Sequence, residues 1–194
     1  MAKPHPRDEP SKGAEERIVE TAYDLFSRRG IRDVGVDELI EQAGVAKATF
    51  YRHFHSKDDL VIAFLERREE RWTREWIDKE ARKRGATPEE SLLAIFDLLD
   101  EWFRHSDFEG GAFMRTLLEM GRQHPAGQAS VRHLNNMRGM VRQLAEEAGL
   151  RDPGTFALSR HILIQGSIVV AAEGDAEAAA RAKNLARLLI EQHR

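Results

Sequence analysis

The stretch Gln42–Lys57 carries Lys47, Arg52 and Lys57 together with His53 and His55, has no acid at all, and interleaves Thr49, Phe50, Tyr51 and Phe54 among the cations. Cations and hydroxyls in one short segment suit the phosphates of a nucleic acid, and a helix that presents them to a groove also reaches base edges. The first 57 residues hold ten basic and ten acidic residues, and the whole 194-residue chain has 30 Lys and Arg against 33 Asp and Glu, a net charge of -3. Any nucleic-acid contact must therefore come from this local patch rather than from a generally basic surface.

Other chemistry is hard to assemble. His53 and His55 are two apart and diverge on a helix, and no third ligand has suitable spacing, so no metal site is expected. The absence of cysteine removes disulfides, thiol catalysis and cysteine–metal clusters. His105, Glu119 and His124 could be placed in an acid–base scheme, but no nucleophile elbow, glycine-rich phosphate loop or zinc motif accompanies them. No cofactor and no enzymatic activity are expected.

The elements that position the patch follow from apolar spacing. Ile18, Ala22, Leu25 and Phe26 mark one face of a helix over 14–29, ended by Gly30. A short helix over 36–43, a turn at Gly44 and Val45, and a second short helix over 46–52 form a helix-turn-helix. Phe50 and Phe54 are expected in its core, leaving Tyr51 outward. Ser56 and Asp59 resemble a capping box that starts a long helix to about residue 84. Helical periodicity continues to the C-terminus and no strand alternation occurs, so the fold expected is all-α, with about nine helices. The domains expected are a disordered tail over 1–12, a DNA-binding domain over 13–56 and a helical effector-binding and dimerisation domain over 57–194.

Phe26, Gly30, Val36, Leu39, the run Ala43-Gly44-Val45-Ala46-Lys47-Ala48-Thr49-Phe50-Tyr51-Arg52-His53-Phe54, then Ser56-Lys57 and Leu60 resemble the signature of TetR-type transcriptional regulators over residues 18–64. The resemblance implies a homodimer that binds a palindromic operator in double-stranded DNA, with a three-helix headpiece and a larger helical body around a small-molecule pocket. Tyr51 and Lys57 are then phosphate contacts, Lys47, Thr49 and Arg52 readers of bases or backbone, and His53 a neighbour in the same surface. Two residues depart from the family pattern: Ala46 stands where serine is common, and Asp37 where a polar or basic residue is common. They give some support to the alternative of a helical protein-interaction scaffold that does not bind DNA.

In the body, Trp102, Phe113, Met114, Leu117 and Met137 supply bulky adaptable walls, and His161 and Gln165, one turn apart, supply polar groups for an apolar or planar effector. Ile164, Ile168, Ala178, Ala182, Leu185 and Leu189 offer seams for pairing two copies in a four-helix bundle. The stretch Ile162–Ala172 is broken by Gln165, Gly166 and Ser167 and falls short of the ~20 apolar residues of a membrane span. The first twelve residues hold Pro4, Pro6 and Pro10 and no apolar core, so they do not read as a secretory signal. A cytoplasmic location with no membrane contact is expected.

Overall fold

The computed structural model describes residues 13–106 and 108–194; the tail expected over 1–12 lies outside the described residues. Within these, the chain is entirely helical. The helices are α1 (Ala14–Arg29), α2 (Val36–Gln42), α3 (Lys47–His53), α4 (Lys57–Arg68), a π-helical segment (Glu69–Asp78), α5 (Lys79–Arg84), α6 (Pro88–Phe103), α7 (Ala112–Met120), α8 (Pro125–Glu147), α9 (Pro153–Ala172) and α10 (Ala178–His193). The described residues up to Phe64 make one compact unit and those from Leu65 to Arg194 another. The second unit begins eight residues after the boundary expected at residue 57, and Leu60 and Phe64 of α4 are core residues of the first unit, with Phe64 edge-on to Phe26 at 5.5 Å.

In the first unit, α1 packs on both α2 and α3 and buries Ile18, Val19, Ala22 and Phe26. Ile18, Ala22 and Phe26 fall at the i, i+4, i+8 spacing of one helical face, with Val19 beside Ile18.

In the second unit, α6 touches α5, the π segment, α8, α9 and α10. Its start is a full capping box: Thr87 Oγ1 accepts from the Glu90 N–H at 3.2 Å, and Glu90 Oε2 accepts from the Thr87 N–H at 3.2 Å. Such a cap satisfies amides that the first turn leaves without intrahelical partners. Asp152 caps α9 in the left-handed region at φ 47°, accepting from the Thr155 N–H at 3.2 Å. Those bonds to Thr155 also hold its carboxyl below the usual aspartate range.

Two expectations are corrected here. The run 57–84 is not α-helical throughout, because its middle widens into the π segment. That widening lines Glu69, Thr73 and Ile77 along one buried side, while Trp72 stacks edge-on to Trp102 at 4.9 Å. Glu69 is drawn inward by His133 Nδ1 and by Asn136 Nδ2, the latter at 2.8 Å. Second, α9 is by length and composition long and apolar enough to cross a membrane, since it starts at Pro153 and adds Phe156, Ala157 and Leu158 to the apolar count. It packs on α6, α8 and α10 and carries the wholly buried Arg160.

Candidate functional site

The turn between α2 and α3 is set by Gly44, whose φ of 62° is a conformation that glycine enters without a Cβ clash. The Val45 N–H reaches back to Ile40 O at 3.3 Å and the Gly44 N–H to Glu41 O at 3.1 Å, closing the end of α2. Ala46 provides no side-chain cap for α3, but its carbonyl accepts from Thr49 and Phe50 at 2.9 and 3.1 Å. Phe50 is wholly buried and Phe54 nearly so, which anchors one side of α3 as expected. Lys47, Ala48, Tyr51, Arg52 and His53 are exposed on the remainder, Tyr51 at 43%.

The charges on this surface are already engaged with one another. Lys47 Nζ lies 3.2 Å from Asp37 Oδ1, and Arg52 Nη2 donates to Thr49 Oγ1 at 3.1 Å. His53 Nδ1 is 3.5 Å from Glu15 Oε2, so this imidazole turns back to α1 while Lys47 and Tyr51 face solvent. Lys57 opens α4 with its Nζ 6.0 Å from the Phe26 ring centre. The Ser56–Asp59 capping box is formed, with the Asp59 N–H on Ser56 Oγ at 3.1 Å and the Ser56 N–H on Asp59 Oδ2 at 3.0 Å. An anion near Lys57 therefore shares the first turn with Asp58 and Asp59, a competition that the sequence already displays.

In the second unit, five of the seven residues expected at an effector site line one chamber of about 330 Å³: Trp102, Phe113, Met114, Met137 and Gln165. His161 lines a second chamber of about 360 Å³, which shares Trp72 and Met137 with the first. Leu117 lines neither, because α7 turns Ala112, Phe113 and Thr116 inward and leaves Leu117 beside the exposed Leu118. Sequence reasoning missed Arg68 and Trp72. The Arg68 guanidinium sits 5.7 and 5.8 Å from the rings of Trp72 and Trp102 and pairs with Glu109 at 2.5 Å, both partners buried. An arginine in a charged run such as Arg67-Arg68-Glu69-Glu70 reads as solvated, and only its spacing of four from Trp72 hints otherwise.

The residues expected to form pairing seams divide between core and surface. Ile164, Ile168, Ala178 and Ala182 are buried within the protomer's own core, and Leu189 is half-buried against it. Leu185 is exposed, and with it Leu158, Ile162 and Val169 on α9 and Leu188 on α10, Ile162 at 71%.

Residues 18–64 match the sequence family described as bacterial regulatory proteins, tetR family. An HTH-type transcriptional regulator of Mycobacterium tuberculosis is 37% identical over 66 residues, 34% of this chain and 33% of the relative. The HTH-type transcriptional activator FasR of Mycolicibacterium smegmatis is 40% identical over 62 residues, 32% of this chain and 26% of the relative. The matches thus span about a third or less of these curated relatives. Over the whole fold, the chain resembles the crystal structure of SCO4454, a TetR-family transcriptional regulator from Streptomyces coelicolor. The TM-score is 0.83, with 26% identity over 93% of this chain and 95% of that one. Residues 18–64 thus carry the sequence of a tetR-family headpiece, and the fold as a whole is similar to that of a TetR-family regulator.

Proposed function

We propose that the protein is a cytoplasmic, sequence-specific DNA-binding transcriptional regulator, without enzymatic activity, that binds a palindromic operator as a homodimer and is released by a small-molecule effector. The observation that carries this reading is α3: Phe50 fixes one side in the core, and Lys47, Thr49, Tyr51 and Arg52 occupy the rest, beside Lys57. Helices of this kind enter the major groove, where phosphate contacts set position and base-edge contacts set sequence.

The homodimer is supported by the open apolar surface of Leu158, Ile162, Val169, Leu185 and Leu188 on α9 and α10, with Gly166 on α9 to let helices approach closely. A contiguous apolar face of this kind on a water-exposed surface marks an interaction site. Two copies joined there through a two-fold axis present two α3 helices to two half-sites.

Effector release is supported by the two chambers, whose walls include Arg68 and Trp72 on the same helical run that begins at Lys57. A ligand shifts the DNA-binding equilibrium only by its differential affinity for the two arrangements, and operator DNA must weaken effector binding by the same factor.

The test is electrophoretic mobility with DNA from upstream of the protein's own gene, repeated across a salt series. Sequence-selective retardation, with log affinity falling linearly in log salt at about -0.9 per phosphate neutralised, is the expected result. Absence of retardation by any such fragment at low salt, with the folded dimer present, would refute the reading.

A further inference from the structure

The second chamber, whose space of about 360 Å³ includes solvent at its open mouth, is walled by apolar side chains of the π segment, α6, α8 and α9, and its polar inventory is short: Trp72, Arg138 and His161. The Trp72 indole N–H is buried and has no hydrogen-bond partner among the described residues. Arg138 donates to Asn135 Oδ1 in the preceding turn of α8 and pairs with no carboxylate among the described residues. None of the lining residues is an acid, amide or hydroxyl. Two of the three polar groups can only donate, and the third, His161, can donate from either nitrogen. Such a chamber rejects cations and leaves hydrogen-bond donors wasted on a hydrocarbon, whereas a single anionic acceptor on an apolar body uses all of them.

We infer that this chamber binds an apolar monocarboxylate, with the carboxylate held by Arg138 and His161 and the hydrocarbon part lying along Trp72 and Met137. One arginine charge matches one carboxylate, and neither a second cation nor a helix N-terminus lines the chamber for a phosphate dianion. Met137 and Met140 let the walls adapt to the shape of the apolar part. Burial, and then the charge of Arg138, hold the His161 imidazole below its ordinary value, so it is neutral in the empty chamber at neutral pH. Among the residues lining the chamber, Arg138 and His161 are the only groups that carry or take a charge near neutrality. A bound carboxylate favours the imidazolium, so binding takes up a proton and strengthens as pH falls.

The inference rests on the reading of the body as an effector-binding domain, and the probes separate the two. Octanoate, octanol and octylamine are titrated into the full chain, followed by tryptophan fluorescence, since all three tryptophans lie at or beside the chambers. Octanoate is expected to saturate and to bind at least about tenfold more tightly than either uncharged or cationic probe. Arg138→Gln should cost octanoate about tenfold and leave octanol unchanged, while Arg138→Lys should restore most of the loss. Octanoate, but not octanol, should tighten between about pH 8 and about pH 6 in the unaltered chain and lose that trend in His161→Gln. If octanol binds as tightly as octanoate, or Arg138→Gln leaves octanoate affinity unchanged, the carboxylate assignment falls and the chamber as an effector site stands. If no probe binds while operator retardation persists, both fall and only the DNA-binding reading remains.

Discussion

Lys47 Nζ lies 3.2 Å from Asp37 Oδ1 across the α2–α3 turn, with both side chains mostly in solvent. An exposed pair of this kind contributes only about 0.2–1 kcal/mol, so it does not lock α3. Its effect falls on DNA instead, because Lys47 reaches a phosphate or base only by leaving the carboxylate or by bringing it along. Asp37→Asn is therefore expected to raise affinity for operator and non-operator DNA alike and to steepen the salt slope by up to about 0.9. Mobility shifts at several salt concentrations read this directly. A gain confined to one base substitution in the operator would instead mean that Asp37 reads a cytosine amino group.

Tyr51 and Lys57 are expected to act on the backbone of DNA. Tyr51→Phe removes one hydroxyl from a residue whose ring stays against Phe50 at 5.3 Å, so the fold is unaffected. Binding should weaken by about 0.5–1.5 kcal/mol, equally across operator variants. Lys57→Ala should weaken it likewise and reduce the salt slope by about 0.9. A change in base preference in either variant contradicts the assignment.

Ile162→Glu and Leu188→Glu place charges on the open face of α9 and α10 and should convert the dimer to a monomer at micromolar concentration without loss of helix content. Leu118→Glu, equally exposed at 78% but on α7, should leave the dimer intact. Sedimentation velocity distinguishes these outcomes, and a dimeric Ile162→Glu protein would place the interface elsewhere.

How much of this was legible in the sequence differs by element. Helix starts are legible where their chemistry is local: the Ser56–Asp59 box read from the sequence is formed, and Thr87 with Glu90 and Asp152 with Thr155 cap α6 and α9 by the same short-range pattern. The recognition surface was readable for the same reason, since Phe50 and Tyr51 point to opposite environments by adjacency alone. The π segment was not, because it depends on Trp102 and His133, which are distant in sequence from Trp72 and Glu69. The expected seams differ from the pairing surface proposed above because an apolar residue does not declare whether it meets its own core or a second copy. Ile162 and Ile164 are two apart on α9, and one is exposed and the other buried.

Gly127 is a packing requirement rather than a conformational one. A Cβ built there would lie 1.9 Å from the carbonyl oxygen of Gly121, a backbone atom that cannot turn away. Close approach of the α7 end to the first turns of α8 follows. Gly127→Ala should therefore destabilise the protein by about 1–3 kcal/mol despite its better helix propensity, whereas Gly139→Ala, with open space at its Cβ, should stabilise α8 by up to about 1 kcal/mol. Denaturant titration of the two variants gives opposite signs if the contact is real.

Arg160 is wholly buried on α9, donating from Nη2 to Leu92 O and lying with its guanidinium 4.8 Å from the Phe96 ring centre. Its Nε and Nη1 have no hydrogen-bond partner among the described residues, and burial alone shifts its titration. Burial pushes its pKa down from the ordinary arginine range to about 9, so at neutral pH the folded protein still holds a charge that its surroundings do not repay. Replacing such a group with a side chain of similar length and no charge is expected to stabilise, by about 1–4 kcal/mol for Arg160→Met. The sign of the pH dependence follows from the same shift. Above about pH 9 and below the ordinary arginine pKa the unfolded chain keeps the proton that the folded chain releases, so the unaltered protein gains stability relative to the variant as pH rises through that interval. The advantage of Arg160→Met should therefore be full at neutral pH and shrink above about pH 9. An advantage that stays constant up to about pH 10.5 would mean that the cost of Arg160 is steric rather than one of desolvation.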